Sequence, residues 1–344
     1  MTVDPQPLAL DIGGANLKAA HPAGAILVEP FELWKRPTEL ADALRDLIER
    51  SPASDQLAIT MTGELCDCFA TKAEGVDTIL DAVVAAAGGR EIRVYQTDAR
   101  FVDVATARDN ALKTAASNWV ALAVLAAELC GDGTGLMIDI GSTTTDIIGL
   151  AHGRARPGGA TDSERLARGE LVYTGVGRTP ICALLRKATW RGRSCRLATE
   201  LFATTLDAYL YTGEIAEDPE NLFTADGRPA THACARDRLA RMFCADRTEA
   251  ATQDIDRLAR AAIDAQLDLL AAAVDEVASR LDARPETIVI SGSGEFLARR
   301  LVMHQSIACR VIALSERYGV AASHAACAFA LARLVGKDVP CASS

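Results

Sequence analysis

Aromatic residues are scarce in this 344-residue chain, at 5%, and no basic run with several interleaved aromatics appears. A nucleic-acid groove needs stacking platforms and clustered positive charge together, so nothing suggests one and no nucleic-acid partner is expected. The net charge of −10 is spread along the sequence and not gathered in a tail. Long apolar runs are also lacking. The longest apolar helix candidate, Trp119 to Leu129, is too short to cross a bilayer and contains Glu128, which argues against a membrane protein. Met1-Thr2-Val3-Asp4-Pro5 lacks the basic region of a secretory signal, and Leu8-Ala9-Leu10 already reads as a core strand. A cytoplasmic location is therefore expected. Paired cysteines are missing as well. Most of the ten are single and in helix-like contexts (Cys130, Cys182, Cys244, Cys327), where a reduced thiol behaves as a small hydrophobe. Only Cys66 and Cys68 are close, and a C-x-C without a second pair or a nearby His is a weak zinc signal. The five histidines are scattered without ligand spacing.

What is present points to phosphate chemistry. Gly135-Leu136-Met137-Ile138-Asp139-Ile140 is an apolar run that enters the small hydroxyl-rich turn Gly141-Ser142-Thr143-Thr144 and leaves through Thr145-Asp146-Ile147-Ile148. This pattern predicts a β-hairpin. Gly141 lets the backbone approach a phosphate, successive amides and the hydroxyls of Ser142, Thr143 and Thr144 can donate to it, and Asp139 and Asp146 can hold a divalent cation. An ordinary hairpin with a polar turn is the bland alternative.

A second copy near the N-terminus repeats the plan. Leu8-Ala9-Leu10-Asp11-Ile12-Gly13-Gly14-Ala15-Asn16-Leu17-Lys18 again reads strand, Asp-Ile-Gly, small turn, strand, and two matched hairpins imply two similar half-domains facing a cleft. With 344 residues and 49% hydrophobic content, the chain can fill two cores. Paired Asp-X-Gly hairpins, followed by the apolar strand Ile288-Val289-Ile290-Ser291 and the turn Gly292-Ser293-Gly294, resemble the superfamily of sugar kinases, heat-shock ATPases and actin. There the hairpins grip nucleotide phosphates from opposite sides. The resemblance implies an α/β fold of two ribonuclease H-like domains with a cleft between them, residues 1–130 and 131–344, the second with an insertion around 151–250 and a C-terminal helix returning to the first. It also implies phosphate or cofactor contacts from Gly13, Gly14, Asn16, Lys18, Gly141, Ser142, Thr143 and Thr144, a nucleoside-side position at Gly292 and Gly294, and Mg2+ on Asp11, Asp139 and Asp146.

Between the hairpins, Leu40, Ala43, Leu44, Leu47 and Ile48 recur on one helix face, with Thr38 as a candidate cap. Leu57 to Thr62 reads as a buried strand that opens into Gly63-Glu64-Leu65-Cys66-Asp67-Cys68-Phe69, at the strand end where open α/β sheets place their ligands. Thr97-Asp98 follows the strand Ile92 to Tyr95, so Glu64, Asp67 and Asp98 are expected along one edge. Helices are expected over Val76 to Ala87 and Ala115 to Leu129. The stretch from Ala160 to Pro180 is dense in charge, Tyr, Gly and Thr with little core periodicity, and reads as a functional loop. Residues from Asp254 to Leu281 predict a long amphipathic helix with Gln266 as a polar break, and Ala321 to Leu334 a closing helix.

A narrower resemblance rests on Asp-Ile-Gly-Gly-Ala-Asn, Thr-Met-Thr-Gly-Glu-Leu-Cys-Asp, Ala-Ser-Asn-Trp, Asp-Ile-Gly-Ser-Thr-Thr-Thr-Asp, Gly-Glu-Leu-Val-Tyr-Thr-Gly, Glu-Leu-Phe-Ala-Thr-Thr and Thr-Ala-Asp-Gly-Arg-Pro, a set spanning most of the chain. Together they resemble the hydantoinase/oxoprolinase-related proteins of tetrahydromethanopterin-linked one-carbon metabolism. That resemblance implies methanofuran-type coenzyme assembly, in which a furylmethyl group moves to the phenol of a (glutamyl-)tyramine or tyrosine acceptor and diphosphate leaves. Glu64, Asp67 and Asp98 are then candidate bases for the phenol, and Glu170, Tyr173 and Arg178 candidate substrate contacts. The implied partners are small molecules, and a homo-oligomer is left open. Two other classes stay open at this level: an ATP-using kinase or hydantoinase/oxoprolinase-like enzyme, and a non-catalytic diphosphate-binding subunit or sensor.

Overall fold

The computed structural model describes residues 6–305 and 308–335. Two mixed sheets share one plan. In the first, β1 (Leu8–Ile12), β2 (Asn16–Ala20) and β3 (Ile26–Pro30) form an antiparallel meander, and β4 (Gln56–Met61) and β5 (Glu91–Tyr95) add in parallel beside β1, with the short β6 (Phe101–Val102) antiparallel at the edge. The order is β3-β2-β1-β4-β5-β6. The second sheet begins with the hairpin β7 (Thr134–Ile140) and β8 (Thr145–Ala151), continues through β9 (Arg154–Ala155) and β10 (Leu171–Val172), and is completed after a separate hairpin of β11 (Lys187–Trp190) and β12 (Arg193–Arg196) by the parallel strands β13 (Thr287–Ser291) and β14 (Arg310–Ala313). Its order, β10-β8-β7-β13-β14, matches that of the first. Both sheets thus put the first strand of a hairpin at the centre, flanked by its own hairpin partner and by a parallel strand that arrives later.

Central strands covered on both faces are apolar along most of their length. All five residues of β1 and all seven of β8 are buried. Helices Leu40–Glu49 and Lys72–Ala86 cover one face of the first sheet with Leu44, Leu47, Ile79 and Val83. The far face of the second sheet is covered by the long helix Thr252–Ala278 together with Thr205–Thr212, His232–Arg241 and Glu295–His304.

Between the sheets lie two helices. Asn118–Cys130 is apolar nearly all round because it touches protein on every side: β7, β8 and β13 of the second sheet and the helix Ala326–Val335. Ala326–Val335 in turn lies on β1, β2 and β4 of the first sheet. The closing segment is not one helix. It breaks at Ala325 into Val320–His324 and Ala326–Val335.

Two local expectations shift. Thr38 caps nothing, because Pro37 starts a 3-10 turn over Pro37–Glu39 and the helix follows from Leu40. The stretch from Ala160 contains a helix, Asp162–Ala167, started by a capping box between Thr161 and Glu164, and β10, which pairs with β8. None of the described cysteines forms a disulfide. Among the described residues no helix is long and apolar enough to cross a membrane.

Candidate active site

The two hairpin turns line one cleft, with a volume of about 320 Å³. They are closed alike: the Gly13 amide donates to the Asn16 carbonyl at 3.0 Å, and the Gly141 amide to the Thr144 carbonyl at 2.9 Å. Among the described residues, the amides of Gly14, Ala15, Ser142 and Thr143 have no hydrogen-bond acceptor in the protein, which leaves them to an anion. Each turn is braced from behind. Phe31 and Leu33 donate their amides to the carbonyls of Ala15 and Gly14, at 3.0 and 2.9 Å; Val176 donates to Gly141 at 3.0 Å, and Gly177 and Arg178 both donate to Ser142 at 2.9 Å. The second brace runs so close to its turn that a Cβ on Gly175 would stand 2.6 Å from the Thr143 nitrogen. Only glycine fits there.

That brace is itself anchored from the long helix. Gln266, the polar break expected from sequence, is wholly buried. Its amide donates to the Thr174 hydroxyl and the Gly175 carbonyl, both at 2.9 Å, and its carbonyl accepts from the Tyr209 hydroxyl at 2.7 Å.

The charges below the turns are arranged differently in the two halves. On β1 and β2, Asp11 is paired in register with Lys18, and their charged ends are 3.8 Å apart. On β7 and β8 the matching pair is Asp139 and Asp146. Arg165, buried in the helix Asp162–Ala167, supplies the missing cation by an ion pair to Asp146 and a second to Asp162 at 3.2 Å, while its guanidinium lies 4.2 Å from the Trp119 ring centre. Asp139 accepts from the Ser291 hydroxyl at 2.6 Å. Burial, then the Asp146 charge, pushes the Asp139 carboxyl up to about 6. Burial likewise raises Asp11, against the pull of Lys18, and Asp146, against that of Arg165. One Asp11 oxygen, Oδ1, is buried without a hydrogen-bond partner.

Of the residues singled out from sequence, Asp11, Gly13, Gly14, Asn16, Lys18, Asp67, Asp139, Gly141, Ser142, Thr143, Thr144, Asp146, Tyr173 and Arg178 line the cleft. Five others do not. Glu64 lies buried behind the wall, with neither carboxylate oxygen hydrogen-bonded. Burial pushes its carboxyl up to about 7; its own amide and that of Ala116 lower it somewhat, without normal hydrogen-bond geometry. Asp98 pairs with Lys113 at 3.3 Å away from the cleft, because β5 lies a further strand out from the hairpins than β4 does. Glu170 is buried and accepts from the amides of Gly158 and Gly159 at 2.6 and 3.0 Å, so it staples a loop. Gly292 and Gly294 press against the end of β7: a Cβ on Gly294 would stand 2.5 Å from Ile140 Cγ2, and Gly292, with φ of +94°, would drive a Cβ into the Ile140 backbone. Their turn is closed onto protein, not open to the cleft. Asp11, Asp139 and Asp146 do not form a ready metal centre either, since no group of three or more His, Cys, Asp or Glu side chains among the described residues is placed to hold an ion.

Sequence reasoning missed Trp34, Asn118, Asp162, Arg165 and Cys327, all of which line the cleft. The signal for the Asp162 and Arg165 helix was the Thr161-x-x-Glu164 capping pattern. Trp34 carried no signal beyond being one of three tryptophans. Cys66 and Cys327 touch the cleft as thiols: burial pushes Cys66 up to about 11, and burial with the charges of Asp11 and Asp139 holds Cys327 far above the usual thiol range.

Comparison with known proteins agrees with this architecture. The chain is 34% identical over 335 residues to the (4-{4-[2-(gamma-L-glutamylamino)ethyl]phenoxymethyl}furan-2-yl)methanamine synthase of Methanocaldococcus jannaschii, covering 96% of this chain and 98% of that one. A synthase of the same name from Methanococcus vannielii is 30% identical over 206 residues, 59% of this chain and 91% of that one. Among solved structures, the PilM-PilN type IV pilus biogenesis complex superposes with a TM-score of 0.50 over 97% of this chain and 99% of that one; at 13% identity it shares the fold alone. Residues 55–337 match the hydantoinase/oxoprolinase family, and the chain belongs to that family.

Proposed function

We propose that this protein is a transferase of methanofuran-type coenzyme biosynthesis. It condenses an aminomethyl-furylmethyl diphosphate with the phenol of a (glutamyl-)tyramine or tyrosine acceptor and releases diphosphate. The observation that carries this reading is the near full-length similarity to the M. jannaschii synthase; a cleft with a phosphate-type turn on each side is what that chemistry requires.

In the reaction the furylmethyl carbon–oxygen bond to diphosphate breaks, and diphosphate leaves with the electron pair. The furan ring stabilises the positive charge on the carbon, the phenol oxygen bonds to it to form an ether, and the phenol proton passes to a carboxylate. Stabilising the departing anion is the larger task. The free amides of Gly14, Ala15, Ser142 and Thr143 and the ammonium of Lys18 converge on the cleft where that anion would sit. Asp67 is the cleft-lining candidate for the base, whereas Glu64, buried behind the wall, is out of reach of a phenol in the cleft.

Magnesium fits this cleft as an ion that arrives with the diphosphate. The buried, unpartnered Asp11 Oδ1 and the adjacent Asp139 carboxylate are the one or two protein carboxylates with which magnesium is usually held beside substrate phosphates. Bound there, it would neutralise charge on the leaving group. Asp146, committed to Arg165, serves that ion less well than the sequence suggested. In the same reading, residues 1–130 and 131–344 are the two half-domains, with the segment around 151–250 an insertion in the second.

Incubation with the furylmethyl diphosphate, a tyramine or tyrosine conjugate and magnesium tests the proposal by mass spectrometry. Ether product and inorganic diphosphate should appear in equal amounts without ATP. Asp67→Asn should slow turnover by roughly 10²–10⁴-fold if Asp67 is the base, and Asp139→Ala should weaken magnesium-dependent diphosphate binding. Formation of ADP in step with a phosphorylated product would replace this assignment with a kinase.

A further inference from the structure

Two arginine–tryptophan stacks flank the cleft, and they differ in one respect. Arg165 over Trp119 is buried and neutralised by Asp146 and Asp162. Arg178 over Trp34, with its guanidinium carbon 4.5 Å from the ring centre, is exposed. Among the described residues no carboxylate lies within ion-pair distance of it and no acceptor takes its side-chain N–H groups. A guanidinium resting its face on an aromatic ring keeps its edge donors free for a planar or tetrahedral oxyanion. Both side chains line the cleft.

The contact also joins the two braces. Trp34 directly follows Leu33, whose amide holds the first turn at Gly14, and Arg178 donates its own amide to Ser142 in the second turn. The ring and the guanidinium therefore meet at the mouth of the cleft as extensions of the two segments that fix the phosphate turns.

We propose that Trp34 is a positioning residue that holds the Arg178 guanidinium over the cleft as a clamp on the outer phosphate of the diphosphate, so that the two turns act as one site. This deepens the condensation reading and rests on it for the identity of the anion. Arg178 touches the ligand; Trp34 acts through Arg178.

The test is a double-mutant cycle read by calorimetric titration of the full-length protein with inorganic diphosphate in the presence of magnesium, which needs no turnover. Arg178→Gln should weaken binding by about 10–100-fold, the range of a charge-assisted hydrogen-bond pair. Trp34→Leu should weaken it by about fivefold, as expected for loss of one partly exposed cation–π contact, and Trp34→Phe should stay within about twofold of the parent. In the Arg178→Gln background, Trp34→Leu should change affinity by less than about twofold. Trp34→Gln replaces Trp34→Leu in the cycle if the latter does not fold. Equal losses from the Trp34 substitution with and without Arg178, or no loss in the parent background, would overturn the clamp and leave the condensation reading standing. A parent protein that binds no diphosphate would overturn both.

Discussion

Asp139 stands directly opposite Asp146 in the β7–β8 ladder, at the place where the first hairpin sets Asp11 opposite Lys18. Like charges facing each other across a strand pair repel, and with Asp146 buried and Asp139 half-buried at the cleft wall the repulsion is less screened than in bulk water. The second hairpin keeps this pair because Arg165, from a helix outside the hairpin, does for Asp146 what Lys18 does for Asp11. That exchange leaves a carboxylate, Asp139, facing the cleft with no cation of its own in the ladder, while the opposite wall carries an ammonium. The site thereby holds a cation-seeking group and an anion-seeking group on opposite sides.

Removal of the Arg165 cation should be costly. Arg165→Leu strands Asp146 in a buried position, and breaking a buried pair by deleting one partner typically costs about 3–5 kcal/mol. The double substitution Arg165→Leu with Asp146→Leu should recover much of the loss, because no uncompensated charge remains. Denaturant unfolding of the two variants checks this; equal destabilisation of single and double variants would show that Arg165 acts through packing on Trp119 alone.

The buried Glu64 makes stability depend on pH. Its carboxyl titrates near 7 in the folded protein against an ordinary value of 4.5, so the folded state holds a proton that the unfolded chain gives up. The cost is absent below pH 4.5, grows as pH rises through 7, and is constant above. Glu64→Gln, which carries no charge, should therefore match the parent in stability below about pH 4.5 and exceed it at pH 8, by on the order of 3 kcal/mol. A difference between the two proteins that is the same at both pH values would show that Glu64 does not titrate in this way.

Gln266 is expected to matter for the site as well as for the core. Gln266→Leu leaves the Tyr209 hydroxyl, the Thr174 hydroxyl and the Gly175 carbonyl short of a partner, at about 2–4 kcal/mol in sum. Because Thr174 and Gly175 lead into the brace behind the second turn, diphosphate affinity should fall too. Tyr209→Phe removes only the outermost bond of the network and should cost about 1 kcal/mol with affinity unchanged. Calorimetry with thermal melts separates the two outcomes; an affinity loss in both variants, or in neither, would deny the brace its role.

Much of this site was legible in the chain. The Asp-Ile-Gly hairpins announce themselves because an apolar run, a glycine turn and a returning apolar run are all local, and their duplication implies a shared cleft. Gln266 also stood out as a polar interruption of an apolar face. Other features misled. Glu170 has the composition of a substrate contact, yet burial leaves the amides of Gly158 and Gly159 as its partners. Asp98 follows a strand of the same sheet as Glu64 and Asp67, but one strand further from the hairpins, and Lys113 holds it there.

By itself, the sequence determined the central strands, the two turns and the amphipathic or all-apolar character of the helices, since each depends on neighbours within a few residues or one helical turn. Tertiary structure alone decided which cation serves which aspartate, which carboxylates reach the cleft and which are walled off, and that Trp34 meets Arg178. Those pairings join segments from different strands, helices and loops, and their energies depend on burial and on separations of a few ångströms, quantities that packing creates and that no local pattern encodes.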